Sequence, residues 1–301
     1  MSQHTTVVVG VDGSEQALVA AQWALDLAGR RNLPLEVVHS WSVPLPPVGL
    51  GPTPVGLTDD GMQDAAQSVL DDAVATLADT APEVSVSGNL YAGTPTSALL
   101  DASERAAVVV VGRSGLDRVT EFILGSVTQQ VVAHASCPVA VVPFVEHDGD
   151  DAGVEAGRVV VGIDGSELSV DATRVAFEEA STRHVGLTLL HVWNSPSVDT
   201  SGLVVPSSFT LQEAHSDELR AMAETVAGLA EHYPDVHVEQ RLRQGRPAKA
   251  LAEASKGAEL VVVGSRGHGG FASLMLGSTS RSLLHHTFAP VLIVKPGTVP
   301  T

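Results

Sequence analysis

The chain has 301 residues, with 17 Lys+Arg against 35 Asp+Glu, a formal net charge of −18 and 44% hydrophobic residues. That length predicts about two domains, and the apolar content excludes global disorder. The acidic balance excludes nucleic acid and anionic membrane as partners, since both repel a protein of their own sign.

The elements alternate along the chain. Residues 5–11 (TTVVVGV) are a short β-branched run. Residues 14–30 follow with Leu18, Ala21, Leu25 and Ala28 at helical spacing. Residues 33–41 read as a second strand, 44–54 as a proline-rich loop and 62–79 as an amphipathic helix. Then come a strand over 84–90, a helix over 95–105 with Pro95 at its first turn, and a valine-rich strand over 106–112. A helix over 126–135 and a strand over 138–143 close the set. Strands alternating with helices predict a parallel sheet covered on both faces, and near-continuous valine runs suit doubly covered strands.

The same order returns further on. VGVDGS at 9–14 recurs as VGIDGS at 161–166, which places Asp164 152 residues after Asp12. Trp41, Gly93, Pro95, Gly112, Gly115, Gly125 and Ser126 recur at the same offset as Trp193, Gly245, Pro247, Gly264, Gly267, Gly277 and Ser278. A period this long marks duplicated domains rather than solenoid units. The predicted organisation is a first domain over 1–145, an acidic, glycine-containing linker over 146–156 and a second domain over 157–301. The charge is uneven. Residues 1–150 hold 5 basic and 18 acidic side chains, and residues 151–301 hold 12 and 17.

Lone Cys137 excludes an intrachain disulfide and a cysteine-based metal site. No basic region precedes a long apolar stretch at the start, and no apolar run approaches the ~20 residues that span a bilayer, so the expected location is cytoplasmic.

Between the fourth strand and the last helix, each copy reads Gly, two residues, Gly, nine residues, Gly-Ser: Gly112, Gly115, Gly125-Ser126 and Gly264, Gly267, Gly277-Ser278. A glycine ending a buried strand lets a ligand approach the backbone. Gly115 and Gly267 can take positive φ and turn amides inward as an anion nest. Ser126 and Ser278 fall where a helix starts, beside free N–H groups and the positive end of the helix dipole. Asp12 and Asp164 follow the first strands, at the carboxyl edge where an open α/β sheet holds its ligand. Arg113, Arg118 and Arg266 are the candidate cations for phosphate. His39 and His191 end the second strands and read as hydrogen-bonded histidines beneath the crevice.

This combination resembles the universal stress protein family in its tandem-domain form, over nearly the whole chain outside the linker. The spacing is similar to the nucleotide signature of its ATP-binding members. The resemblance implies two Rossmann-like α/β domains, each a five-stranded parallel sheet of order 3-2-1-4-5 with helices on both faces. It implies ATP, with Mg, as the ligand. It also implies that Asp12 and Asp164 contact the nucleoside, and that Ser40 and Val192, with Val111 and Val263, lie against adenine. Gly112, Gly115, Gly125, Ser126, Gly264, Gly267, Gly277 and Ser278 would hold ribose and phosphates. Ser40 departs from the aliphatic residue usual at its position. The resemblance further implies stress adaptation, a homodimer in addition to the intrachain domain pair, and a protein partner.

Other chemistries fit less well. The turn after the first strand lacks the G-x-G-x-x-G of a dinucleotide enzyme. None of the three lysines, Lys249, Lys256 and Lys295, stands in a P-loop. GRSG at 112–115 is one residue short of a nucleophile elbow. The adjacent pair His285-His286 has no partner at a recognisable metal-ligand spacing. No general base can be named, so the expected function is regulatory ATP binding at two sites per chain. The alternative is a slow ATPase or phosphotransferase using the same sites.

Overall fold

The computed structural model describes residues 5–42, 59–114, 124–144, 155–193, 223–224, 226–267 and 276–298. The expected loop at 44–54, Gly115, Arg118 and most of the expected linker lie outside these residues. Contacts divide the chain into two units, Met1–Phe144 and Val145–Thr301.

The first unit runs β1 (Thr6–Gly10), α1 (Glu15–Arg31), β2 (Leu35–Trp41), α2 (Asp59–Thr80), β3 (Val86–Ala92), α3 (Pro95–Ser103), β4 (Ala106–Gly112), α4 (Ser126–His134) and β5 (Val139–Val142). Every strand pairing in it is parallel. β2 pairs with β3 and β1, β1 pairs with β4, and β4 pairs with β5. The central strands are buried on both faces: Val7, Val8, Val9, Val109 and Val110 are 0% exposed. Each such side chain contributes about 1.5–3 kcal/mol on burial. α1 and α2 pack together on one face, and α3 and α4 on the other.

The second unit repeats this plan with β6 (Arg158–Ile163), α5 (Glu167–Arg183), β7 (Gly186–Trp193), a helical run at 226–232 (α6), β8 (Val238–Gln244), α7 (Pro247–Ala254), β9 (Leu260–Gly264), α8 (Ser278–His286) and β10 (Val291–Val294). Here β7 pairs in parallel with β8 and β6, β6 pairs with β9, and β9 with β10.

The caps repeat as well. The Ser14 hydroxyl accepts from the Ala17 amide at 3.1 Å and starts α1, and the Ser166 hydroxyl accepts from the Ser169 amide at 3.2 Å and starts α5. Asn32 and His184 end those helices in the left-handed region at φ 52° and 55°. One expectation fails on α1. Leu18 is 37% exposed, because the face against the sheet is Ala17, Ala20, Ala21, Ala24 and Ala28 with Leu25 and Leu27. The small alanines let the helix lie close to the valine strands, and Leu18 falls outside that stripe. Glu155, at the end of the expected linker, is buried in the second unit. Its carboxylate accepts from the Thr188 hydroxyl and pairs with Arg241, both at 2.7 Å.

Candidate functional site

In each unit the chain winds outward from the first strand in one direction through the second and third, then in the other through the fourth and fifth. The strands on either side of that reversal part at their carboxyl ends and leave a crevice there. In the first unit the crevice is a cavity of about 400 Å³. Every described residue of this copy that the resemblance assigned to nucleotide contact lines it: Asp12, Ser40, Val111, Gly112, Gly125 and Ser126. In the second unit a cavity of about 440 Å³ is lined by their six counterparts, Asp164, Val192, Val263, Gly264, Gly277 and Ser278, and by Gly267, the counterpart of Gly115.

The aspartates are held by their own turns. Asp12 Oδ1 accepts from the Ser14 amide at 3.0 Å and from the Ser14 hydroxyl at 2.6 Å. Asp164 Oδ1 accepts from the Ser166 amide at 3.1 Å and the Ser166 hydroxyl at 2.6 Å. Gly13 and Gly165 stand between, at φ 81° and 86°, a region that side chains strain to reach. A second bond fixes the same turn from the neighbouring strand. His39 Nδ1 lies 2.7 Å from the Val11 carbonyl, and His191 Nδ1 lies 3.1 Å from the Ile163 carbonyl. A carbonyl only accepts, so each ring carries a proton on Nδ1 for this bond. These histidines brace the aspartate turns, which is the packing role the sequence suggested.

The opposite wall is the helix after the glycine motif. Gly125 and Gly277 are the N-caps of α4 and α8, neither helix has a side-chain cap, and Ser126 and Ser278 occupy the first helical positions. First-turn amides have no carbonyl to bond within their own helix. Both first turns line their cavities, at Ser126, Val127 and Thr128 and at Ser278, Thr279 and Ser280. The helix start is held against the strand end. The Thr128 hydroxyl donates to the Gly112 carbonyl at 2.8 Å, and the Ser280 hydroxyl to the Gly264 carbonyl at 2.7 Å. The Gly125 amide donates to the Arg113 carbonyl at 2.9 Å, and the Gly277 amide to the Ser265 carbonyl at 2.7 Å. The amides left to face the cavity therefore come from the helix turn.

Two sequence expectations need correction. Gly267 is not in the left-handed region; the positive-φ glycines of the site are Gly13 and Gly165. The constraint on Gly267 is space: a Cβ there would overlap the Asp164 carboxylate and force that side chain to shift. Arg113 does not serve as a cavity cation: it is 7% exposed and does not line the first cavity. Arg266 does line the second.

The sequence also missed residues. Pro95 with Leu99, and Pro247 with Leu251, supply an apolar wall from α3 and α7. Gly10 and Gly162 form the floor, where an added Cβ would come within 2.9 Å of Leu99 and 3.1 Å of Leu251. The 152-residue repeat of Pro95 and Pro247 was the available signal, but repetition alone does not say that a residue faces a cavity. Among the described residues, no three His, Cys, Asp or Glu side chains cluster as a metal site. No described helix is long and apolar enough to cross a membrane.

Fold and site together define a tandem α/β protein with one crevice per unit, each bounded by a turn-held carboxylate, a glycine strand end and an uncapped helix start. A model of the Universal stress protein family matches residues 4–143 and 155–295, and the chain belongs to that family. A universal stress protein of Mycobacterium tuberculosis is 40% identical over 297 residues, covering 96% of each chain. One from Mycolicibacterium smegmatis is 35% identical over 295 residues, covering 96% of this chain and 97% of its own. The crystal structure of a universal stress protein from Archaeoglobus fulgidus shares the fold, with a TM-score of 0.66 at 23% identity over 97% of both chains.

Proposed function

We propose that this universal stress protein is a regulatory adenine-nucleotide binder with two ATP sites per chain, one in each unit. The observation that carries the reading is the coincidence of the two cavities with the repeated residues. Asp12, Gly112, Gly125 and Ser126 converge on one, and Asp164, Gly264, Gly277 and Ser278 on the other.

The chemistry supports each part of a nucleotide. The apolar wall of Val111, Pro95 and Leu99, or of Val263, Pro247 and Leu251, offers adenine a dry surface. The second carboxylate oxygen of Asp12 lies outside the Ser14 bonds and can accept from ribose hydroxyls. The uncapped first turns of α4 and α8 present N–H groups to phosphate at the positive end of the dipole. With no carboxylate cage among the described residues, magnesium would come with the phosphates it neutralises.

In this reading nucleotide occupancy sets a state that a protein partner reads, in a cytoplasmic homodimer, during stress adaptation. Turnover of ATP is slow or absent, below ~1 per second, the lower end of the usual enzyme range. Calorimetric titration with ATP tests the binding claim. The parent chain takes up about two equivalents, and Gly267→Ala, which drives a methyl into the Asp164 carboxylate, keeps only the first unit's site. Failure of the parent to bind any adenine nucleotide would sink the proposal.

A further inference from the structure

The two cavities share their backbone plan and differ at a few side chains, and at the phosphate end the differences run one way. The first glycine motif reads Gly112-Arg113-Ser114 and the second reads Gly264-Ser265-Arg266, with arginine and serine transposed. The transposition exchanges which side chain is buried. In the first unit Arg113 is 7% exposed and away from the cavity, while Ser114 lines it and donates to Gln16 Oε1 at 2.6 Å. In the second unit Ser265 is 2% exposed and Arg266 lines the cavity. Gln16 is matched there by Leu168, which has no group to tie down a polar neighbour. Among the described residues, the first cavity is lined by no Lys or Arg.

The first helical turn changes in the same sense. Val127 lines the first cavity where Thr279 lines the second, adding a hydroxyl beside the uncapped amides of α8. The base end changes in the opposite sense, with Ser40 in the first cavity and Val192 in the second. The halves differ in field as well. Residues 1–150 carry 5 basic against 18 acidic side chains, and residues 151–301 carry 12 against 17. A polyphosphate approaching the first half meets the stronger repulsion.

We propose that the cavities sort adenine ligands by phosphate charge. The second takes a nucleoside polyphosphate, with Arg266 as the group that selects it. The first binds ATP more weakly and gains less from each added phosphate. This rests on the nucleotide reading above and assigns a ligand preference to each site. An arginine fork bonds phosphate oxygens strongly and is always charged, so Arg266 makes affinity in the second cavity depend on phosphate number.

Titrations of the full chain with adenosine, adenosine monophosphate and ATP test it, alongside Arg266→Gln and the transposed variant Arg113→Ser with Ser114→Arg. The parent is expected to bind ATP in two unequal steps and the monophosphate in two steps closer together. Arg266→Gln weakens the tighter ATP step roughly ten-fold, the size of one lost hydrogen bond to a charged group, and moves the monophosphate steps less. The transposed variant strengthens the weaker ATP step. Arg113 is buried, so that variant counts only if it melts like the parent; otherwise Arg266→Gln decides. Equal ATP steps in the parent, or an unmoved tight step in Arg266→Gln, overturn the sorting and leave the two-site reading standing. No binding of any adenine ligand overturns both.

Discussion

The two units have one backbone plan and two sets of polar side chains. Residues that dictate backbone shape repeat at an offset of 152: the capping serines 14 and 166, the turn glycines 13 and 165, the left-handed helix ends 32 and 184 and the strand-end glycines 112 and 264. Residues that merely satisfy one another do not. In the first unit Glu36 takes a hydrogen bond from Asn89 at 3.0 Å and pairs with Arg105 at 2.5 Å. The matching places in the second unit hold Thr188 and Arg241, and the carboxylate comes from Glu155 instead. Backbone geometry has one solution at each turn, whereas a buried polar group accepts any partner that completes its bonds.

The largest expected effect tests that contrast in the helix packed on the sheet. Leu27 of α1 is 1% exposed, and its counterpart in α5 is Glu179, 0% exposed and bonded by Arg183 Nε at 3.0 Å. Glu179→Ala should cost the second unit about 3–5 kcal/mol, because it leaves a charge stranded in the interior. Leu27→Ala should cost the first about 2–5 kcal/mol through its cavity. Replacing the pair together, Glu179→Leu with Arg183→Leu, should restore most of the loss. Denaturant unfolding of the three variants decides it, and a double variant no better than Glu179→Ala would show that the pair is not an exchangeable unit.

The strand-end glycines give a smaller contrast. A Cβ at Gly264 would come within 2.9 Å of Leu168 and 3.0 Å of the Arg266 carbonyl, while one at Gly112 would meet the Ser114 carbonyl at 3.3 Å. Gly264→Ala should therefore cost about 1–3 kcal/mol, and Gly112→Ala distinctly less. Equal losses in thermal unfolding would mean that the two cradles are equally tight. Where the units agree, the losses should agree. Thr128→Val and Ser280→Ala each strand a glycine carbonyl, at about 0.5–1.5 kcal/mol, and both should weaken nucleotide binding by loosening the helix start.

The smallest effect is on the pH dependence of stability. The hydrogen bond from Arg241, with the charge of Arg158 beside it, holds Glu239 below the ordinary glutamate range. A depressed carboxylate stabilises the fold above its unfolded pKa, and the contribution fades as pH falls through the folded value. The first unit has Ser87 at that place and lacks the contribution. Glu239→Gln should lower the second unit's stability slightly at neutral pH, leave it nearly unchanged in acid, and so flatten the acid limb. An unaltered pH profile would remove Glu239 from the account.

Much of this was legible in the sequence because it is periodic or conformational. Valine runs gave strands, alanine and leucine spacing gave helices, and the glycine spacing pointed to residues that meet in a cavity. Facts of direction were not legible. Arg113 and Ser114 are neighbours in the bend after β4, and only the folded course of that bend decides which one lines the cavity. Leu18 fits a helical stripe on paper with Ala21, Leu25 and Ala28, but it alone of the four falls outside the buried face. Gly267 could be read as a turn glycine, and its actual constraint is an aspartate 103 positions earlier in the sequence that only folding brings near.

Native mass spectrometry of the full chain with adenosine monophosphate and ATP both present at saturation tests the central claim most directly, because it counts ligands and weighs each one. Two separate pockets predict chains carrying two nucleotides, with Gly267→Ala carrying one. A parent chain that never carries more than one nucleotide, or a Gly267→Ala chain that still carries two, would contradict the account.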